Sequence, residues 1–112
     1  MSDNKLFIEE LKYLVENDLS LTEFNLNQLQ ERFNKNPLFI SNLYQLISNN
    51  KLFLPFFQNI ESAVYDCLIH EEMKNDKTYY GATLHVAELF DTTQTYIKCK
   101  VNHLYKENKK AG

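Results

Sequence analysis

The sequence predicts a mainly α protein with a small central β element, built as two tandem helix-turn-helix units in one compact domain covering 1–112. Three observations lead there. Apolar residues recur at three- and four-residue intervals along most of the chain. Only two Gly and two Pro are present, too few for the many turns of a sandwich or barrel. A pattern in 83–107, TLHVAELFDTTQTYIKCKVNHLYKE, returns more faintly 57 positions earlier. Glu31 then falls on Glu88, Phe33 on Phe90 and Ile40 on Ile97. Looser matches pair Leu29 with Val86, Asn34 with Asp91, Phe39 with Tyr96 and Ile47 with Leu104.

The elements follow in order. Residues 4–17 form a first helix, with Leu6, Phe7, Leu11, Leu14 and Val15 inward and Ser2 or Asp3 as its cap. In 18–24, Leu19 and Leu21 alternate with polar neighbours and predict a short strand. A helix over 25–33 turns Leu26, Leu29 and Phe33 inward, and Asn34, Lys35 and Asn36 make a turn. Asn36-Pro37 is a start signal: a side-chain cap, then a residue pre-set for the first helical position. The helix it opens, 37–48, is apolar over a wide arc and carries no charge. KLFLPFF at 51–57 reads as extended, with Pro55 confining it to an edge. Asn59 caps a helix over 60–73, and Asn75, Asp76 and Lys77 form the next turn. Thr78, Tyr79 and Tyr80 have strand character, ended by Gly81, so 52–57 and 78–80 are expected to pair as the small sheet. The two helix-turn-helix units then occupy 18–57 and 78–110.

Composition narrows the function classes. A chain of 112 residues with 44% hydrophobic and 24% charged residues has the profile of a folded protein with one modest core. Seven Tyr and eight Phe supply its bulk. MSDNKLFIEE has no basic start and no apolar signal core, and no apolar run approaches the ~20 residues of a membrane span. Cys67 and Cys99 fit reduced thiols, so the expected location is cytoplasmic. The net charge of −3 opposes contact with a polyanion, but its distribution is uneven. Lys98, Lys100, Lys106, Lys109 and Lys110 against Glu107 give 94–110 a balance of +4, which leaves −7 for the remainder.

In the C-terminal unit Ala87 is the small residue where two helices cross, and Val86, Phe90, Ile97, Val101 and Leu104 hold the crossing. Asp91, Thr92 and Thr93 make the turn, and Thr93 caps the second helix. AELFDTTQTYI resembles the helix-turn-helix of bacterial transcription regulators and resolvase-type DNA-binding domains. It departs from their pattern at Asp91, where Gly is usual, and at Thr92, where an aliphatic is usual. The resemblance covers about 25 residues and implies that the second helix lies in the major groove of duplex DNA. Base-facing roles then fall to Gln94, Thr95 and Lys98, with Asn102 a further contact. Phosphate roles fall to Thr93, Lys100, Lys106, Lys109 and Lys110.

The N-terminal copy has neutral polar residues where the later one has lysines, and Gln30 where the later one has Ala87. Two roles are open to it. Both units can face DNA as an internal dimer, with Lys35, Asn36, Ser41, Asn42 and Gln45 in contact; alternatively, the uncharged helix docks a protein. Compact tandem proteins of the first kind resemble the TraN-type accessory proteins of Gram-positive conjugative plasmids, and excisionases and winged-helix regulators share the single unit. The expected function is therefore a double-stranded-DNA-binding accessory or transcription-regulatory factor of a plasmid, phage or other mobile element. The alternative is a protein-interaction module, such as a phage or plasmid inhibitor or adaptor, using 37–48 and the acidic surface.

Catalytic signatures are missing. HEEM at 70–73 is not the HExxH of zinc proteases, and two glycines hardly build a phosphate loop. Cys67, His70, Glu71 and Glu72 are close in sequence, and His85, Cys99 and His103 join them only if folding gathers them; buried thiol and surface polar groups are the expectation. No enzyme activity, cofactor or metal is expected.

Overall fold

Capping side chains set most of the helix boundaries. A computed structural model describes residues 3–51 and 59–111, with the side chains of the final helix described as far as Asn102. Six helices occupy these residues: α1 (Asn4–Glu16), α2 (Glu23–Phe33), α3 (Pro37–Asn49), α4 (Ile60–Lys74), α5 (Tyr79–Leu89) and α6 (Gln94–Ala111). The chain divides into two units, Met1–Ile60 and Glu61–Gly112.

The expected central β element is overturned, because the described residues contain no strand. In 18–24 a helix start wins over the brief alternation of Leu19 and Leu21. The Thr22 hydroxyl accepts from the Asn25 amide at 3.1 Å, so Glu23 and Phe24 already belong to α2. The Leu19 carbonyl accepts from the Tyr44 hydroxyl at 2.7 Å, a side-chain bond instead of a strand ladder. Thr78 repeats this: its hydroxyl accepts from the Gly81 amide at 3.0 Å, and Tyr79 and Tyr80 open α5. Gly81 is no breaker there. A Cβ at this position would sit 3.3 Å from the Thr78 hydroxyl oxygen, so glycine leaves room for the cap. The strand expected at 52–57, the other half of the sheet, lies outside the described residues. Without the sheet, the winged variant loses its structural basis among the described residues.

In the first unit, Phe7, Ile8, Leu11 and Val15 of α1 are buried with Leu29 of α2 and Ile40, Leu43 and Ile47 of α3. The stripe on α1 is rotated from the expected one: Ile8 is inside, and Leu6 is exposed. Phe7 packs its ring 5.3 Å from Phe33 and 6.3 Å from Phe39. In the second unit, Ala63, Val64, Tyr65 and Ile69 of α4 are buried, as are Ala82, Val86 and Ala87 of α5, then Phe90, Ile97 and Val101. Tyr65 meets the edge of Phe90 at 4.9 Å between centroids.

The repeat extends further than its sequence signal. Asn34 and Asp91, 57 positions apart, hold φ at 53° and 54°. Each is followed two positions later by a cap, Asn36 or Thr93, whose side-chain oxygen accepts from backbone amides of α3 or α6. The equivalence also runs through the first helices, where buried Asn4, Phe7 and Ile8 correspond to buried Glu61, Val64 and Tyr65. Asp18 and Asp76, both at positive φ, follow α1 and α4, one position off the 57-residue register. The correspondence of buried positions thus reaches the first helix of each unit.

Candidate nucleic-acid interface

The end of α5 explains how a non-glycine residue serves the turn. The Thr92 amide donates to the Ala87 carbonyl at 2.9 Å, and the Asp91 amide to the Glu88 carbonyl at 3.2 Å. These are the two bonds of a Schellman motif with Asp91 in the left-handed position. Asp tolerates that conformation because its short polar side chain satisfies nearby groups. Thr93 then caps α6, its hydroxyl accepting from the Tyr96 amide at 3.1 Å. Ala87 is buried, as a close approach of α5 and α6 demands. Its counterpart Gln30 is half-buried.

Among the described side chains of α6, three face solvent: Thr95, Cys99 and Asn102. Their spacing of four and three residues makes one stripe. Gln94 belongs to a different surface, since its amide donates to the Thr83 hydroxyl at 2.9 Å and the Tyr80 carbonyl at 3.2 Å. Lys98 is half-buried, with its ammonium 5.7 Å from the centre of the Tyr80 ring. Lys100 points inward, 3.6 Å from Glu61 Oε1 and 5.4 Å from the Tyr96 ring centre. Lys106, Lys109 and Lys110 lie on α6, beyond the described side chains. Thr95, Lys98 and Asn102 thus stay near one face, while Gln94 and Lys100 are engaged within the unit.

The N-terminal set spreads similarly. Asn42 and Gln45 are exposed at the positions equivalent to Cys99 and Asn102. Gln45 donates to Asn49 Oδ1 at 3.0 Å, and Asn36 is occupied as the cap. Lys35 and Ser41 are half-buried. The equivalent of Thr95 is Leu38, 69% exposed, so the corresponding stripe of α3 is neutral and begins with an apolar residue.

Comparison with protein-family models, characterised proteins and solved structures finds no match. The chemistry therefore rests on the residues themselves.

Two polar clusters in the second unit escaped sequence reasoning. Glu61 is fully buried; Oε2 accepts from the Tyr65 hydroxyl at 2.8 Å and the Tyr96 hydroxyl at 2.5 Å. Burial, reinforced by the Glu61 carboxylate, pushes the Tyr65 hydroxyl far above its ordinary pKa. The only sequence signal was an acidic residue one step into α4, a common feature of first turns. In the second cluster Glu72 pairs with His85 and, at 2.7 Å, with Lys77. Burial alone would raise the Glu72 carboxyl, but Lys77 and His85 outweigh it and hold it below the ordinary range. Tyr80 is a neighbour of Lys98 that the strand expected at 78–80 hides, because only the helical register of α5 brings its ring there.

Among the described residues, no group of three or more His, Cys, Asp and Glu side chains is placed to hold a metal. Cys67 and Cys99 are free thiols. Burial, with Asp66 and Glu71, pushes the Cys67 thiol up and keeps it protonated. None of the described helices is long and apolar enough to cross a membrane.

Proposed function

We propose that the chain binds double-stranded DNA through its C-terminal unit, as an accessory or regulatory factor of a mobile element, with α6 as the reading helix. The observation that carries this reading is the outward stripe Thr95–Cys99–Asn102 on a helix locked at its start by the Asp91 turn and the Thr93 cap. Thr95 and Asn102 have the donor and acceptor groups for base edges, and Lys98 flanks them with a cation. Lys106, Lys109 and Lys110 extend the positive charge along the same helix for phosphates. An acidic protein with one basic helix is expected to bind modestly and with steep salt dependence.

Fluorescence anisotropy on a duplex at low and moderate salt tests this, with Lys98→Ala/Lys106→Ala as the companion variant. Binding at low salt, weakened in the variant, supports it. No binding, or binding untouched by the variant, removes it.

A second reading has its own observation. Leu38 and Phe24 are 69% and 68% exposed at the first turns of α3 and α2, and α3 has no charged residue. Such a surface suits a protein partner better than a phosphate backbone. On this reading the first unit docks a protein, and a stoichiometric partner is retained in pull-down while DNA is not.

A further inference from the structure

The internal repeat supplies a control for the buried cluster around Glu61. The four residues of that cluster, Glu61, Tyr65, Tyr96 and Lys100, stand 57 positions after Asn4, Ile8, Phe39 and Leu43. In the first unit this place is filled by one neutral polar residue and three apolar ones, with Ile8 and Leu43 buried. In the second it holds a carboxylate, two tyrosine hydroxyls and an ammonium. The first unit therefore fills the corresponding positions without a buried charge. A buried carboxylate facing a part-exposed ammonium is seldom the more stable solution, since desolvation offsets the attraction and an apolar replacement of the whole set is often as stable or more so. Stability is thus a poor reason for the second unit to keep it.

What the cluster does geometrically is tie α6 to α4. Tyr96 and Lys100 sit one turn apart on α6, and both converge on the single carboxylate of Glu61. One hydrogen bond, from Tyr96, and one longer ion pair, from Lys100 at 3.6 Å, join one helix to one fixed carboxylate and set the roll of that helix about its axis. Thr95, Cys99 and Asn102 are the faces left outward at that roll.

We propose that Glu61 is a positioning residue for the outward stripe of α6. This rests on the DNA-binding reading above. Its test uses a sign that electrostatics alone predicts wrongly. Glu61→Gln removes a negative charge and frees Lys100, so charge alone would tighten DNA binding. The positioning role instead predicts affinity for a mixed-sequence duplex weakened about tenfold, by the loss of fixed geometry. A second variant, E61N/Y65I/Y96F/K100L, transplants the first unit's residues at all four positions and guards against misfolding. It removes one charge of each sign, leaves no ammonium without its carboxylate, and is expected to melt no lower than the parent yet bind more weakly. Melting point and affinity moving in opposite directions is a result that a purely structural role does not give.

Binding equal to or tighter than the parent, in a folded variant, overturns the proposal. If the parent itself fails to bind DNA, the functional reading falls separately. The clasp is then decided by amide hydrogen exchange over residues 96–102: faster exchange in Glu61→Gln at unchanged global stability upholds it, and unchanged exchange overturns it.

Discussion

Asp91 and Asn34 make their turns in the left-handed region without glycine, and that choice is measurable. Valine there meets the full left-handed penalty of roughly 1–2 kcal/mol, whereas Asp and Asn escape much of it. Asp91→Val is expected to destabilise by about that amount and Asp91→Gly to be close to neutral, by denaturant melts. Thr93→Ala removes the α6 cap and should cost about 1 kcal/mol. Glu72 gives a pH signature. Its folded pKa is depressed, so its contribution is present above the ordinary carboxyl value of 4.5 and fades as pH falls through the lower folded value. Glu72→Gln should therefore melt below the parent at neutral pH, with the gap closing in acid. Several of these residues could be read directly. Asn36-Pro37 and Asp91-Thr92-Thr93 announce caps and turns by local chemistry alone. Glu61 could not be read, because its burial arises only when α4 and α6 meet.

At the level of elements, the lysines of α6 divide by direction. Lys98 lies over Tyr80 near the outward stripe, while Lys100 is drawn to Glu61. Salt-dependent binding separates them. Lys98→Ala should reduce the slope of log affinity against log salt by about one, whereas Lys100→Ala should leave the slope nearly unchanged. Both residues carry expected DNA roles because charge is visible along a chain and side-chain direction is not. The position equivalent to Lys100 is buried Leu43, so the repeat held a clue to its inward direction. Helix existence was legible from apolar spacing throughout α1, α3 and α6. The segments 18–24 and 78–80 were not, because β propensity in two or three residues yields to a threonine cap that starts a helix.

At the scale of the molecule, one three-helix plan occurs twice with different chemistry on its second-unit and first-unit surfaces. The turns, caps and buried positions correspond, which is why a faint match over about 20 residues foreshadowed a longer duplication. The surfaces diverge: α3 presents Leu38, Asn42 and Gln45, and α6 presents Thr95, Cys99 and Asn102 with lysines beyond. A protein that reads DNA with only one of its units should bind with the modest salt slope of a few phosphate contacts. DNA binding by α6 is tested most directly in anisotropy titrations of a labelled duplex at about 50 and 200 mM salt. Binding is expected at the lower salt, with a loss of affinity at the higher and a further loss in Lys98→Ala/Lys106→Ala. A parent protein that leaves the anisotropy unchanged at the lower salt contradicts it.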